Sequence, residues 1–223
     1  SLTDKILWKE WLDSITPIAE KLIGEMNLRA ESVKRVRTWF YDTTFKDSLP
    51  PDLPGIYGFF HPDPLNEKPL IKFGESFEIL ARIATHLGVR PNRDCLPERY
   101  LKEKNSFSGD SSFRIKIARA LDILNESEWK GNNSRFYKRE FRNEKSELAL
   151  KVNHAIDSYR IAWQPLLLGR AELQTWAEWS NDEPNSFRSV QMKSKKYQAR
   201  LKPAFDRSLF DKESEYWKKL LAL

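Results

Sequence analysis

Apolar residues recur at three- and four-residue spacing over residues 3–26, through Leu7, Trp11, Ile15, Ile18, Leu22 and Met26. That period predicts an amphipathic helix. Thr16-Pro17 interrupts it, as a kink or as a fresh start with Pro at the first helical position. Residues 30–47 predict a second helix with Val33, Val36, Phe40 and Phe45 on one side. Pro50, Pro51 and Pro54 then break the pattern, and a domain boundary is set there.

The period changes after the prolines. Gly55 to Phe60 is short, aromatic and β-branched, which predicts a strand. His61-Pro62-Asp63-Pro64 is a turn-rich connection, and Leu70 to Gly74 is the next strand, so the two form an antiparallel hairpin. Residues 77–87 predict a helix with Ile79, Leu80, Ile83 and Leu87 facing the core. Residues 88–145 are long and polar, with basic residues in excess and an amphipathic helix from Phe113 to Leu124. Ser146 to Ile156 predicts a further helix. Tyr159, Ile161 and Trp163 alternate as in a strand half-buried on one side. Residues 170–179 return to helix, and the chain closes with an amphipathic helix around Phe210 to Leu221.

These elements predict an α+β fold: a small three-stranded antiparallel sheet flanked by helices. Residues 1–50 form an N-terminal helical region, and 51–188 the sheet domain with a basic, helical insertion at about 88–157. Residues 189–223 form a basic segment and C-terminal helix. Composition allows a buried core, since 40% of the 223 residues are hydrophobic, with 8 Trp and 13 Phe. Trp8, Trp11 and Trp39 are read as core rather than contacts. A net charge of +6 favours polyanions, nucleic acid above all, though only as a weak prior. The one cysteine, Cys95, excludes a disulfide framework and a multi-thiolate zinc site. Three histidines (His61, His86, His154) are too few for a His-rich metal cluster. No apolar run reaches the ~20 residues that span a bilayer, and the first thirty residues are charged throughout, unlike a signal peptide. The default expectation is therefore a cytoplasmic protein with no membrane partner.

Candidate chemistry gathers around the hairpin. Tyr57 lies in one strand and Lys72 in its neighbour. Arg82 and His86 are four apart on a helix, so they share a face, away from Leu80, Ile83 and Leu87 and hence toward solvent or a cleft. Arginine matches phosphate oxygens bidentately. Histidine with an ordinary pKa exchanges protons near neutrality. Glu172, on a later helix, is a hard oxygen ligand suited to Mg²⁺ or Mn²⁺. Taken singly, each is more often a packing or solvated residue than a functional one. Only their ordered combination has weight.

That combination resembles the GIY-YIG nuclease family over roughly residues 52–188. One triplet stands as Gly55-Ile56-Tyr57, and the second, usually aromatic–aliphatic–Gly, as Lys72-Phe73-Gly74. The family's helix arginine corresponds to Arg82 and its histidine to His86. Its metal-binding glutamate corresponds to Glu172, and a downstream Pro-Asn pair to Pro184-Asn185. Ser111-Ser112-Phe113-Arg114 also looks like a segment found in bacterial members of the family. The chain departs from the pattern at Lys72, which stands where the second tyrosine is usual.

The resemblance implies a metal-dependent DNA endonuclease, in restriction, phage defence or repair, using Mg²⁺ or Mn²⁺ on Glu172. Tyr57 would be the general base, helped by a nearby cation, and Arg82 would neutralise the phosphate. His86 would hydrogen-bond Tyr57 or the phosphate, Lys72 would contact phosphate, and Asn185 would brace the site wall. DNA contacts are expected from Arg135, Lys138, Arg139 and Arg142 in the insertion. They are also expected from the basic run after Arg188, with Lys193, Lys195 and Lys196. A restriction enzyme that reads a palindrome often does so as a homodimer. The alternatives are a catalytically inactive nucleic-acid-binding module of the same fold, which Lys72 favours, and a partner for an acidic protein.

Overall fold

The computed structural model describes residues 2–90, 111, 113–114, 117–118, 141, 143 and 145–180. The protein is α+β, with a four-stranded antiparallel sheet flanked by helices. Helix α1 spans Leu2–Arg29 and runs through Pro17 without a fresh start, which corrects one of the two readings of Thr16-Pro17. Its inner face, with Ile15, Ala19, Leu22 and Met26, is buried.

The expected helix over 30–47 is instead three short pieces. Glu31–Ser32 forms strand β1, Val33–Trp39 forms helix α2, and Thr43–Ser48 forms a 3₁₀ turn. The reason is capping. The Ser32 side chain accepts the Arg35 amide and starts α2 afresh, and the Asp42 side chain accepts the Thr44 amide and starts the turn.

Strand β2 (Gly55–Phe60) pairs antiparallel with β3 (Leu70–Ser76), as the hairpin reading expected. It also pairs antiparallel with β4 (Arg160–Pro165) on its other side. β1 adds to β4 through Glu31 opposite Ile161 and Ser32 opposite Arg160. The strand order is β1-β4-β2-β3, so the sheet has four strands rather than the three expected, and β3 is an edge. A two-residue strand has no periodicity to read.

Both faces of the sheet are covered. On one face Tyr57, Phe59 and Ile161 pack under α2, α3 (Ile79–Leu87) and α4 (Glu147–Asp157). On the other, Ile56, Phe60, Phe73 and Ala162 pack under α1 and α5 (Arg170–Ser180). β4 is therefore not half-buried on one side only: Ile161 and Ala162 enter opposite cores. Burying a phenylalanine completely is worth about 1.5–3 kcal/mol, and Phe59 and Phe60 are both fully buried, one in each core.

Arginines fasten the layers. Arg160 donates to the carbonyls of His61 and Asn27 and to Asn27 Oδ1, tying β4 to the β2–β3 loop and the end of α1. Arg37 bridges Asp157 at 2.8 Å and donates to the Leu87 carbonyl, joining α2, α4 and α3. Trp176 Nε1 donates to Thr16 Oγ1 at 2.9 Å, locking α5 to α1.

Among the described residues no helix is long and apolar enough to cross a membrane. The described residues of the expected 113–124 helix are helical and buried. The expected C-terminal helix lies outside the described residues, as do the side chains of Trp8 and Trp11. Trp39 is buried, as expected of a core residue.

Candidate functional site

Strand alternation decides which side chains meet. Tyr57 and Phe59 point to the α3 face, and Lys72 joins them there because it is paired with Phe59. Gly74 is paired with Tyr57 on the same face. A Cβ at Gly74 would collide with the phenol oxygen and ring of Tyr57. The glycine is therefore what lets the Tyr57 ring lie across the edge strand β3.

From above, α3 brings His86 onto the phenol. Tyr57 Oη and His86 Nε2 are 2.6 Å apart. Arg82, one turn earlier, brings its positive charge close to the phenol. His86 is 0% exposed. The Arg82–His86 face was expected to look toward solvent or a cleft, and for His86 this is corrected: the ring is enclosed by Tyr57, Phe59 and Phe113. Phe59 and Phe113 stand edge-on to it, with centroids at 6.0 and 5.8 Å. The Lys72 ammonium lies 5.6 Å from the centre of the Phe113 ring.

Burial governs the protonation of the pair. It pushes the Tyr57 phenol up to about 12, although the positive charge of Arg82 pulls the other way. It holds the His86 imidazole well below its ordinary value, and Arg82, Lys72 and Arg114 push in the same direction. The expectation that histidine would titrate near neutrality is thus corrected. The resting pair is a neutral phenol and a neutral imidazole. The nearby cation expected beside a tyrosine base is present, but desolvation outweighs it.

The other ring nitrogen, Nδ1, lies 2.7 Å from Ser111 Oγ. Arg114, 1% exposed, donates to Asn153 Oδ1 at 2.7 Å and lies 3.4 Å from the His86 carbonyl. Its guanidinium faces the Phe141 ring at 4.7 Å. Burial lowers its pKa to about 9, with the Arg37 charge adding to the effect. Gly88 ends α3 at φ 63°, where a side chain would be strained and its Cβ would run into that guanidinium. Sequence reasoning noticed the Ser111–Arg114 segment but gave it no role. The available signal was a serine three residues before a buried arginine at a helix start. A charged residue inside the core is not legible from periodicity.

Glu172 is 6% exposed and stands in the first turn of α5. That helix packs on the sheet face opposite Tyr57, and it reaches β3 through Arg170, which bridges Glu75 at 3.3 Å. Arg170 also stacks on Phe77 at 4.5 Å. The described residues thus bring together Tyr57, Lys72, Arg82 and His86, and set Glu172 on the other side of the same edge strand. Among them no group of three or more His, Cys, Asp and Glu could hold a metal ion. A single buried carboxylate still fits Mg²⁺, which takes one or two carboxylates and completes its shell with water and substrate phosphate.

Asn185 and the expected DNA contacts Arg135, Lys138, Arg139, Arg142, Lys193, Lys195 and Lys196 lie outside the described residues. Comparison with models of protein families, with curated proteins and with solved structures finds no match to this chain.

Proposed function

We propose that this chain is a metal-dependent DNA endonuclease of the GIY-YIG type. The observation that carries the reading is the buried Tyr57 phenol, 2.6 Å from His86 Nε2 and lying over a bare stretch of edge strand, with the Arg82 charge nearby. Any buried tyrosine needs one partner for its hydroxyl; what packing alone does not require is that the partner be a histidine with arginine and lysine charges around it.

The chemistry follows from the partners. A water oxygen attacks phosphorus, the bond from phosphorus to the 3′ oxygen breaks, and the leaving oxygen takes a proton from solvent water. The water proton goes to Tyr57 as the phenol proton passes to His86 Nε2. A free phenolate is therefore never required, which suits a phenol with a raised pKa. Arg82 and Lys72 neutralise the charge that builds on the phosphate oxygens. Lys72, in place of the usual aromatic, brings a second cation to the phosphate side. Magnesium or manganese, when bound at Glu172, supplies charge stabilisation at the phosphate and the leaving oxygen.

The test is incubation with supercoiled plasmid and Mg²⁺ or Mn²⁺, alongside Glu172→Ala and Tyr57→Phe. Nicking by the parent chain and loss in both variants is the expected result. Salt-dependent binding without nicking would instead assign the chain as a nucleic-acid-binding module. Equal nicking by all three proteins would overturn the proposal.

A further inference from the structure

We infer that Ser111 is a positioning residue that selects the tautomer of His86, holding the proton on Nδ1 and leaving Nε2 free to accept from Tyr57. The inference rests on the nuclease reading for its consequence, though not for its geometry.

Two contacts and one charge lead to it. The Arg82 charge near the phenol attracts the lone pairs of the Tyr57 oxygen and repels its proton. The phenol proton is then directed to His86 Nε2 at 2.6 Å. A neutral ring that accepts at Nε2 carries its proton on Nδ1, and Nδ1 faces Ser111 Oγ at 2.7 Å. In the reverse tautomer His86 would donate to the phenol oxygen, and the buried phenol proton would lose His86 as its acceptor and be pressed by the Arg82 charge.

Ser111 is itself fixed. Its Oγ accepts the Arg114 amide at 3.2 Å, the hydrogen bond of a helix cap. The hydroxyl oxygen has two acceptor sites, so the cap and the histidine are served together. Phe59 and Phe113 clamp the ring edge-on and set its plane. They leave the placement of the proton to the polar partner. A positioned second partner that fixes tautomer and ring orientation is the usual companion of a histidine that must accept at a defined nitrogen.

The experiment records long-range ¹H–¹⁵N correlations of the histidine rings in the full chain, with His86→Gln to assign the ring among the three histidines. Two variants accompany it. Ser111→Gly removes the hydroxyl yet keeps a residue that helix caps accept well. Ser111→Thr restores the hydroxyl. The expected result is an Nδ1–H tautomer in the parent, a mixture or Nε2–H in Ser111→Gly, and recovery in Ser111→Thr. Plasmid nicking in Ser111→Gly is expected to fall roughly 10- to 100-fold in kcat with KM little changed. An Nε2–H tautomer in the parent, a tautomer indifferent to Ser111→Gly, or a shifted tautomer with unchanged nicking would each overturn the inference. A parent that nicks no DNA while its tautomer still follows Ser111 upholds the positioning and overturns the nuclease reading instead.

Discussion

The phenol oxygen of Tyr57 sits 2.6 Å from His86 Nε2, and both side chains are buried between the sheet and α3. This contact joins the first residue triplet of the hairpin to the last turn of the helix that follows it.

Removing the hydroxyl separates chemistry from folding. Tyr57→Phe keeps the ring that packs against Phe59 but leaves a buried histidine acceptor without its donor, at a cost of about 1–3 kcal/mol. Plasmid nicking is expected to drop roughly 100-fold or more, while a urea melt still shows one cooperative transition. Nicking at the parental rate would remove Tyr57 from the mechanism.

The protonation of the pair sets how stability depends on pH. The folded pKa of His86 lies below the unfolded value of about 6.5. The unfolded chain therefore binds more protons once the pH falls below that value. The stability associated with the neutral ring is complete above about pH 6.5 and is lost as the pH falls toward the folded pKa. Thermal melts should show a decline below about pH 6.5 that is smaller in His86→Gln.

At the alkaline end Tyr57 dominates the same argument. Its pKa is about 12 when folded and about 10 when unfolded. The unfolded chain loses its proton first, so stability falls as the pH rises from 10 toward 12, by about 2–3 kcal/mol. Tyr57→Phe should flatten that limb. An alkaline limb identical in the variant would contradict the buried, neutral phenol.

Two glycines should respond in opposite ways to alanine. Gly74→Ala puts a methyl group into the Tyr57 phenol, so the ring must leave His86. The expected results are a loss of about 1–3 kcal/mol and a loss of nicking comparable to that of Tyr57→Phe. Gly24 lies in α1, and a Cβ added there would meet nothing within 4 Å, so Gly24→Ala should stabilise by about 0.5–1 kcal/mol. Denaturant melts of the two variants check both signs. A stabilised Gly74→Ala would show that the ring does not need the bare strand.

Glu172→Gln tests the metal separately from the chemistry. Binding of Mn²⁺, followed by calorimetry on the full chain, should weaken by roughly tenfold or more, and melts of the variant recorded alongside separate this from any effect of removing a buried charge. Unaltered Mn²⁺ affinity would place the ion elsewhere.

The elements of the core were legible in the sequence, and the reasons are local. Gly55 to Phe60 and Leu70 onward alternate or cluster as strands do, and Ile79, Leu80, Ile83 and Leu87 recur as a helix face, so the hairpin and α3 emerged within a residue or two. The break at Ser32 did not, because one capping serine outweighed the apolar spacing of Val33, Val36 and Phe40. Among candidate site residues, spacing placed Arg82 and His86 on one face but said nothing of what would cover it. That depended on Phe113 and Ser111, which arrive from 25 or more residues further along. The direction of the pKa shifts was illegible for the same reason, since desolvation is a property of the assembled core.

Three cations press on His86: Arg82 and Lys72, both partly open to solvent, and the enclosed Arg114. Burial is the larger reason a protonated imidazole is costly, and their combined field adds to it. On the nuclease reading, an arriving phosphate would offset the first two and leave the third, together with the burial. The target would thus lower, without removing, the cost of placing a proton on the ring, and it would do so by charge rather than by moving parts.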